Sequence, residues 1–209
     1  MDRRALWDRV VQWGATPAEV TGILPGDDLL PDGRALTNAI DIDAPPSAVW
    51  PWLAQLGRGR GGFYTYTWVE NVLGADIHNL DRIDPDLQHL GEGDRIWLTP
   101  PRYLGQPGQF WTVRSVDPGR SVVLYQRPPH NPTTGSWALA LEADGGRTRL
   151  LNRHRSEKSD GLILRFWAAI MTLGNVVMER GMLRGIKRRA EAMAASVRSS
   201  PGPVRPPSS

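Results

Sequence analysis

Five short segments rich in β-branched and aromatic residues lie between residues 94 and 155. They read DRIWLT, QFWTVRSV, SVVLYQR, SWALALEA and RTRLLNRHR. The stretches between them, PPRYLGQPG, DPGR, PPHNPTTG and DGG, carry the proline, glycine and asparagine that turns prefer. Because connections this short join antiparallel neighbours, the region is predicted to form an antiparallel meander.

Elements predicted on both sides of the meander give the chain a mixed α+β class. Residues 35–43 alternate as another strand, and Pro45 and Pro46 suit the first turn of a helix over residues 46–56. A long helical pattern follows the meander over residues 162–197. Its apolar residues recur at helical spacing and include Leu183, Ile186, Ala190, Met193 and Val197. One sheet can then wrap one helix.

The chain is predicted to divide into an arm, one domain and a tail. Residues 1–33 form an N-terminal helical arm, in which Thr16-Pro17-Ala18-Glu19 has the pattern of a capping box. Residues 34–197 form the domain, which is long enough to bury a core without cross-links. Residues 198–209 are so rich in proline, serine and glycine that we expect a disordered tail.

The composition excludes several kinds of chemistry. The chain contains no cysteine, so it has no disulfides, thiolate metal ligands or cysteine nucleophiles. Its formal net charge of +3 comes with arginines spread along the chain rather than in a basic stripe, so we expect no nucleic-acid partner. The N-terminal residues lack the apolar core of a secretory signal, which predicts a cytoplasmic protein. We expect no cofactor.

The stretch GRGRGGFYTYTW, residues 57–68, contains the Gly-x-Gly-x-x-Gly spacing of a dinucleotide-binding loop. Such a loop needs a strand before the glycines and a helix after them. Here a predicted helix ends at Gly57, and the aromatic residues that follow favour extended structure. A phosphate-binding loop is therefore not expected at these glycines.

In element order and in local sequence the chain resembles the START-like superfamily, also called SRPBCC. The similar stretches are LPGDDLLPDG, AIDIDAPPSAVWPWLAQLGRGRGGFYTYTWVENVLGADIHNLDRI and VMERGMLRGIKRRAE. They look like a bacterial branch of polyketide cyclase/dehydrase-like members, and the likeness covers about residues 13–195. The resemblance implies a helix-grip fold, in which a curved antiparallel sheet wraps a long C-terminal helix and leaves an apolar cavity between them.

The resemblance implies two functions of different classes. The leading one is the binding or carrying of a small hydrophobic ligand, lipid-like or polyketide-like, in the internal cavity. The alternative is an enzyme of the polyketide cyclase or dehydratase type, in which polar residues of the cavity act as acid and base. His154 and Tyr64 are the candidates for that role. Fold analogy does not decide between the two, so whether the chain is an enzyme stays open.

The residues expected to line the cavity come from the loop of residues 63–68, which we call the aromatic loop, from the strands and from the long helix. In the last strand Asn152 and His154 share a face with Leu150, which we expect to point toward the helix. The opposite face carries Arg147, Arg149, Arg153 and Arg155 and is expected to meet solvent. The predicted ligand-binding residues are Phe63, Tyr64, Tyr66, Trp68, Trp137, Asn152, His154, Met178 and Met182.

Structural alternatives accompany these assignments. The aromatic rings of residues 63–68 either form a gate to the cavity or complete the core. Asn152 and His154 either contact the ligand or bond to the helix backbone or to buried water. Both alternatives stay open from the sequence alone.

The long helix is expected to close the cavity. Methionine is flexible enough for an adaptable wall, so Met178 or Met182 is predicted to line the cavity, while the apolar residues further along pack on the sheet. Gly181 and Gly185 predict a close approach of the helix to the sheet. The apolar segment 162–177 is predicted to cover the cavity, to form an oligomer surface or to make peripheral membrane contact. The oligomeric state stays open.

One group of residues has the spacing of metal ligands. It consists of Glu70, Asp76, His78 and Asp81. The four histidines of the chain never pair at helical spacing, so we expect no metal site.

Overall fold

The computed structural model describes residues 10–65, 78–100, 102–103, 106–128, 133–157 and 162–199, and for residues 102, 103, 106 and 162–173 it describes the backbone alone. Helix α1 spans Pro17–Thr21, α2 spans Pro46–Ala54 and α3 spans Leu162–Ser199. The strands are β1 (Arg34–Ile42), β2 (Arg95–Trp97), β3 (Arg102–Tyr103), β4 (Gln106–Pro107), β5 (Phe110–Asp117), β6 (Ser121–Gln126), β7 (Gly135–Asp144) and β8 (Arg147–Ser156).

Six strands form one antiparallel sheet in the order β1-β8-β7-β6-β5-β2, while β3 and β4 pair separately. The first and last strands are neighbours, and Asn38 lies opposite Asn152 in their register. The long helix α3 packs against α2 and β1. An antiparallel sheet closed by one long C-terminal helix confirms the predicted α+β class and the helix-grip fold.

The main core lies between the inner face of the sheet and the helices α2 and α3. Alternate residues of each strand point toward it because successive side chains in a strand face opposite ways. Leu183, Ile186 and Ala190 of α3 are fully buried there, as predicted. Val197, the last residue of the predicted apolar side, is exposed at the end of the helix. The buried core also includes Ile42, Val49, Leu53, Val122, Leu139 and Leu150.

Local signals in the sequence explain where two helices begin. Thr16 Oγ1 accepts a hydrogen bond from the Glu19 N–H at 3.2 Å, and the Glu19 carboxylate accepts one from the Thr16 N–H at 2.6 Å. These two bonds confirm the predicted capping box at the start of α1. Helix α2 begins at Pro46, whose fixed φ suits a first helical turn.

The N-terminal arm covers part of the outer face of the sheet. Leu24 of the arm packs with Ala39, Ala140 and Leu151 in a second, smaller apolar cluster. These three residues lie on β1, β7 and β8, on the faces that point away from the main core. The arm therefore buries apolar surface that the helices do not reach.

One arginine of β8 anchors the arm. Arg153 is only 2% exposed, and its guanidinium donates to the Gly22 carbonyl at 2.8 Å and to Asp27 Oδ2 at 2.6 Å. It also donates to Thr37 Oγ1 on the neighbouring strand at 3.0 Å. A planar group with five N–H donors can join carbonyls and a carboxylate in this way.

Two more arginines of the same face bind the arm. Arg149 donates to both carboxylate oxygens of Glu19 at 2.8 and 3.0 Å, and Arg155 donates to the Leu30 carbonyl at 2.9 Å. The prediction that the arginine face of β8 meets solvent is therefore wrong for three of its four arginines. The physical reason is that the guanidinium N–H groups of Arg149, Arg153 and Arg155 donate hydrogen bonds to carbonyl and carboxylate oxygens of the arm. Only Arg147, 62% exposed, matches the prediction.

The arm also protects the edge strand β1. The Ala39 N–H donates to the Trp13 carbonyl, and the Trp13 N–H donates to Asn38 Oδ1, both at 3.0 Å. Arg180 and Arg184 of α3 lie over the Trp13 ring, 5.5 and 5.2 Å from its centre. Trp13 thus joins the edge of the sheet to the long helix, and it occupies backbone groups that an open edge would offer to another chain.

Candidate functional site

A carboxyl group lies on the apolar side of α3. Glu179 precedes Leu183, Ile186 and Ala190 by four, seven and eleven residues, a spacing that places all four on one side of a helix. The other three residues are fully buried, and the Glu179 side chain is 16% exposed. A carboxyl group among apolar residues needs hydrogen-bond partners to offset its lost hydration.

Two amide side chains of the sheet supply those partners. Asn38 Nδ2 and Asn152 Nδ2 donate to Glu179 Oε2 at 2.7 and 3.0 Å. Each amide oxygen has a donor of its own: Asn38 Oδ1 accepts from the Trp13 N–H at 3.0 Å, and Asn152 Oδ1 accepts from Trp137 Nε1 at 2.6 Å. Both amides are buried. Because each is bound at both ends, its orientation is fixed.

An imidazole and two indoles complete the arrangement. His154 Nε2 lies 3.3 Å from Glu179 Oε1, but it makes no well-aligned hydrogen bond with any residue that the structure describes. The His154 ring stacks on Trp137, with ring centres 5.0 Å apart and planes inclined by 18°, and it meets Trp111 edge-on at 5.9 Å. We call Glu179, Asn38, Asn152, His154, Trp137 and Trp111 the Glu179 cluster.

Burial shifts both titrating groups of this cluster toward their neutral forms. Removal from water raises the pKa of Glu179 from its ordinary value of 4.5 to about 7, although hydrogen bonds from Asn152 and Asn38 act in the opposite direction. Removal from water also lowers the pKa of His154 to about 3. Near neutral pH the imidazole is therefore uncharged, and the carboxyl group is close to its midpoint.

The Glu179 cluster can bind and exchange protons with a polar group. A neutral carboxyl group donates one hydrogen bond, and a neutral imidazole accepts one at its unprotonated nitrogen. The His154 side chain is 25% exposed, so part of the imidazole ring reaches the surface, whereas its Nε2 atom is buried and has no hydrogen-bond partner among the described residues. Such a group can hold the carbonyl or hydroxyl of a molecule whose remainder is apolar.

The structure brings together three of the residues predicted to bind the ligand: Trp137, Asn152 and His154 meet through a hydrogen bond and a ring stack. The shared face of Asn152 and His154 was expected from strand alternation in β8. Their partners on β1 and α3 were not.

Sequence reasoning missed Glu179, Asn38 and Trp111. A signal existed for the first two. Glu179 interrupts the apolar side of the long helix, and Asn38 interrupts the alternation in which Ile40 and Ile42 point into the core. A polar residue in an apolar pattern marks either an error in the predicted register or a buried functional group. No comparable signal distinguished Trp111 from the other tryptophans.

The aromatic loop contributes two residues to the core. Tyr64 is buried, its hydroxyl donates to the Trp52 carbonyl at 3.2 Å, and the Arg189 guanidinium lies 4.8 Å from its ring centre. Burial raises the pKa of Tyr64. Phe63 is buried in the same core. These placements are those of core residues, and a buried, bonded phenol is poorly suited to acid–base work. The other two predicted aromatic residues, Tyr66 and Trp68, lie outside the described residues.

The two methionines of α3 differ in burial. Met182 is 4% exposed and belongs to the main core, whereas Met178 is partly exposed and its sulfur lies 3.8 Å from Thr65 Oγ1. Met178 is therefore the less buried of the two methionines, and its sulfur lies beside the loop residue Thr65. Met182 has the burial of an ordinary core residue.

The glycine loop closes on itself. The N–H groups of Gly57 and Gly62 each bond to the other residue's carbonyl at 3.0 Å, and the Gly61 N–H bonds to the Gln55 carbonyl at 2.6 Å. Arg60 donates to the Ala54 carbonyl at the end of α2. Because these N–H groups already have protein partners, the loop has the form of a helix stop and is not built to hold a phosphate.

The residues with metal-ligand spacing do not form a centre in the part of the chain that is described. Asp81 binds Arg189 of α3 instead, and His78 is exposed. Glu70 and Asp76 lie outside the described residues. Among residues that are described, no group of three or more potential ligands comes together.

A concave region lies apart from the Glu179 cluster. It is a groove of about 740 Å³ between α2, residues 81–83 and the C-terminal half of α3, and it shares no residue with the cluster. Its apolar residues include Pro51, Ile83 and Met193. An apolar probe could bind here as well, so a binding experiment needs variants that separate the two places.

Membrane contact through residues 162–177 stays a prediction, because the side chains of residues 162–173 are not described. Within the described part of the chain, no helix combines the length and the apolarity needed to span a bilayer.

Solved structures share the general arrangement. One is protein MLL2253 from Mesorhizobium loti, which is 14% identical, with 76% of this chain and 98% of that chain covered and a TM-score of 0.45. A second is protein Ms6760 from Mycobacterium smegmatis, which is 16% identical, with 79% of this chain and 94% of that chain covered and a TM-score of 0.43. A third is the Zhui aromatase/cyclase from Streptomyces sp. R1128, which is 18% identical, with 82% of this chain and 99% of that chain covered and a TM-score of 0.43. No protein-family model and no curated relative matches the sequence. The START-like resemblance holds at the level of the fold, as the strand order and the position of α3 in this chain show.

Proposed function

We propose that this chain binds a small molecule that has an apolar body and at least one hydrogen-bonding oxygen. The observation that carries the proposal is the Glu179 carboxyl group, held on the apolar side of α3 by two buried amides. A stable core alone gains little from such a group, because apolar residues of similar volume avoid its desolvation cost. A ligand that exchanges hydrogen bonds with it gives the group a role.

The surroundings of the carboxyl group suit an apolar ligand body. The rings of Trp137, Trp111 and His154 lie together on one side, and Met178 lies beside Glu179 on the helix. Flat rings and a flexible thioether accept apolar groups of varied shape. The ligand class that fits is therefore a hydrophobic molecule with a carbonyl or hydroxyl group, as lipids and polyketides have.

Binding can be tested with a fluorescent apolar dye, followed by competition from a panel of fatty acids, sterols and aromatic polyketides. We expect saturable dye binding that a panel member displaces. Asn152→Leu should weaken this binding, because it removes one donor to Glu179 and the acceptor of Trp137 Nε1. Its thermal melt shows whether the fold survives the change.

Two methionine variants distinguish binding at the Glu179 cluster from binding in the groove that contains Met193. Met178→Ala should lower dye affinity, whereas Met193→Ala, on the same helix but in the groove of about 740 Å³, should not. Both methionines are partly buried, so their effects on stability are comparable. If Met193→Ala abolishes binding and Met178→Ala leaves it unchanged, the dye occupies the groove and the proposal is wrong.

A second candidate function is acid–base catalysis on a ligand of the same class. It is favoured by one specific observation: a carboxyl group with its pKa raised to about 7 lies 3.3 Å from an uncharged imidazole. Such a pair can protonate one oxygen and accept a proton elsewhere, as a cyclisation or dehydration requires. His154→Ala and Glu179→Gln should then each remove turnover of a polyketide-like substrate while ligand binding persists. Turnover at the wild-type rate in both variants would exclude catalysis by this pair.

A further inference from the structure

The arginines on the outer face of the sheet form two groups, one covered by the N-terminal arm and one not covered by it. On β8, the arginines facing the arm are bonded to its carbonyls and carboxylates. At the other end of the same face, on β2, β5 and β6, a groove of about 530 Å³ contains Arg95, Arg114 and Arg127. None of the residues lining this groove belongs to the arm. We call it the arginine groove.

The register of the strands fixes the floor of the arginine groove. Arg95 pairs with Thr112, and Thr112 pairs with Tyr125, so these residues form one row across three strands. Arg114 lies two residues beyond Thr112 on β5, where the register between β5 and β6 shifts, and Arg127 is the first residue after β6. Arg95 and Arg114 thus stand on strands of the sheet, whose positions are more rigid than those of loops, and Arg127 directly follows a strand.

The charges of the groove are only partly neutralised. Arg114 binds Glu92, but both side chains are more than half exposed, so this ion pair contributes little. The Arg95 guanidinium lies over the Phe110 ring, 4.6 Å from its centre. Among the described residues no carboxylate lies within ion-pair distance of Arg95 or Arg127.

Like charges on neighbouring strands repel, which disfavours folding. The packing of the sheet gives no reason to gather three arginines around one concavity, since each is on the exposed face. An anion in the groove would remove the repulsion. Guanidinium groups bind phosphate oxygens through paired hydrogen bonds, and Thr112 and Tyr125 add hydroxyl donors in the same row.

We propose that the arginine groove is a binding site for a small molecule that carries a phosphate or diphosphate group. This site is separate from the Glu179 cluster, and the proposal does not depend on the function proposed above. The two sites lie on opposite faces of the sheet, because Thr112 and Tyr125 alternate with the inward-pointing Trp111 and Leu124.

Isothermal titration with inorganic pyrophosphate at low salt tests the proposal. We expect saturable binding to the wild-type chain, at least about tenfold weaker binding to the double variant Arg95→Gln/Arg127→Gln, and weakening as salt is added. The matched control is Arg120→Gln/Arg147→Gln, which removes the same charge from exposed arginines outside the groove. It should bind within about twofold of the wild type.

Several results would overturn this assignment. They are no saturable binding by the wild type, equal weakening by both double variants, and sulfate competing as well as pyrophosphate does. Binding to vesicles of phosphatidylcholine and phosphatidylserine in equal parts, without binding to pyrophosphate, would also overturn it in favour of a membrane surface. Thermal melts verify that each variant folds. Glu179→Gln should bind pyrophosphate as the wild type does, so a failure of the cluster proposal and a failure of this one are distinguishable.

Discussion

Glu179 shows how a single residue can work against the stability of its own helix. Its carboxyl group occupies a place in the apolar stripe that a leucine would fill, and its charge is disfavoured there. The two asparagine donors fix Oε2, while Oε1 faces an imidazole that is uncharged near neutral pH. The residue is held in a defined position, although its charged form is destabilised.

The raised pKa of Glu179 makes stability depend on pH. Because its folded pKa of about 7 exceeds its ordinary value of 4.5, the unfolded chain releases this proton first, and the group's contribution to the free energy of unfolding falls between pH 4.5 and 7. His154 acts in the opposite direction: its folded pKa of about 3 lies below its ordinary value of 6.5, so its contribution rises between pH 3 and 6.5. The two effects oppose each other between pH 4.5 and 6.5.

Glu179→Gln should therefore remove the fall in stability that Glu179 causes as pH rises, and leave the rise that His154 causes. The amide has the same shape but does not titrate, so the variant gains stability relative to the wild type as pH rises from 4.5 to 7, by up to about 1.4 kcal/mol per pH unit. Urea unfolding at several pH values measures this difference. His154→Gln should show the opposite trend between pH 3 and 6.5. A stability difference that does not change with pH would show that Glu179 titrates normally.

For single residues, the sequence predicted which face of a strand carries the side chain, but it did not predict which residues that side chain contacts. Asn152 and His154 were placed toward the helix because a strand alternates. The carboxyl group that they meet comes from a residue 27 positions away from Asn152, on another element. No local rule gives such a pairing, since it depends on how the helix is rotated against the sheet.

Helix α3 approaches the aromatic loop through a glycine. A Cβ atom built on Gly185 would lie 2.0 Å from the Tyr64 carbonyl oxygen, so the helix and the loop backbone touch at this point. The sequence predicted a close approach of this helix to the sheet, and for Gly185 that prediction is wrong, because the partner is the loop. Tyr64 has a φ of 57°, a conformation uncommon outside glycine. The short turn after Phe63 thus places the Tyr64 backbone against the helix.

Two glycines of α3 form a matched pair for testing this contact. Gly185→Ala should destabilise the fold by about 1–3 kcal/mol, because the added methyl group meets backbone that cannot rotate away. Gly174→Ala should stabilise it by about 1 kcal/mol, because the same change meets open space and alanine favours a helix. Thermal and chemical unfolding of both variants measure the difference. Stabilisation by both changes would show that the loop yields to the helix.

Whole elements were predicted well for a physical reason. Antiparallel strands with one face in a core alternate visibly, and the turns between them use proline and glycine at defined places. The meander strands accordingly lie close to their predicted bounds. The arm was predicted only as a helical segment, and its partners were not predicted, because its attachment depends on side chains that are distant along the chain.

At the scale of the molecule, the arm completes the fold. It covers the outer face of β8, closes the edge of β1 and, through Trp13 and Asn38, reaches the Glu179 cluster. The Arg153 anchor lies 126 residues from its partner Asp27. A pattern of alternating arginines predicts a solvent face unless another segment supplies carboxylates and carbonyls, and the sequence does not show which segment folds back.

Arg153→Met tests whether the arm depends on this anchor. The substitution keeps an apolar stem but leaves the Asp27 carboxylate without its closest guanidinium, and it removes donors from the carbonyls of Gly22 and Glu19. Because the pair is buried, we expect a loss of about 3 kcal/mol in the free energy of unfolding and faster proteolysis within residues 10–33. Arg147→Met, which breaks an exposed ion pair at the start of the same strand, should cost no more than about 1 kcal/mol. Similar costs for the two variants, with an unchanged cleavage pattern, would mean that the apolar contacts of Leu24 hold the arm without Arg153.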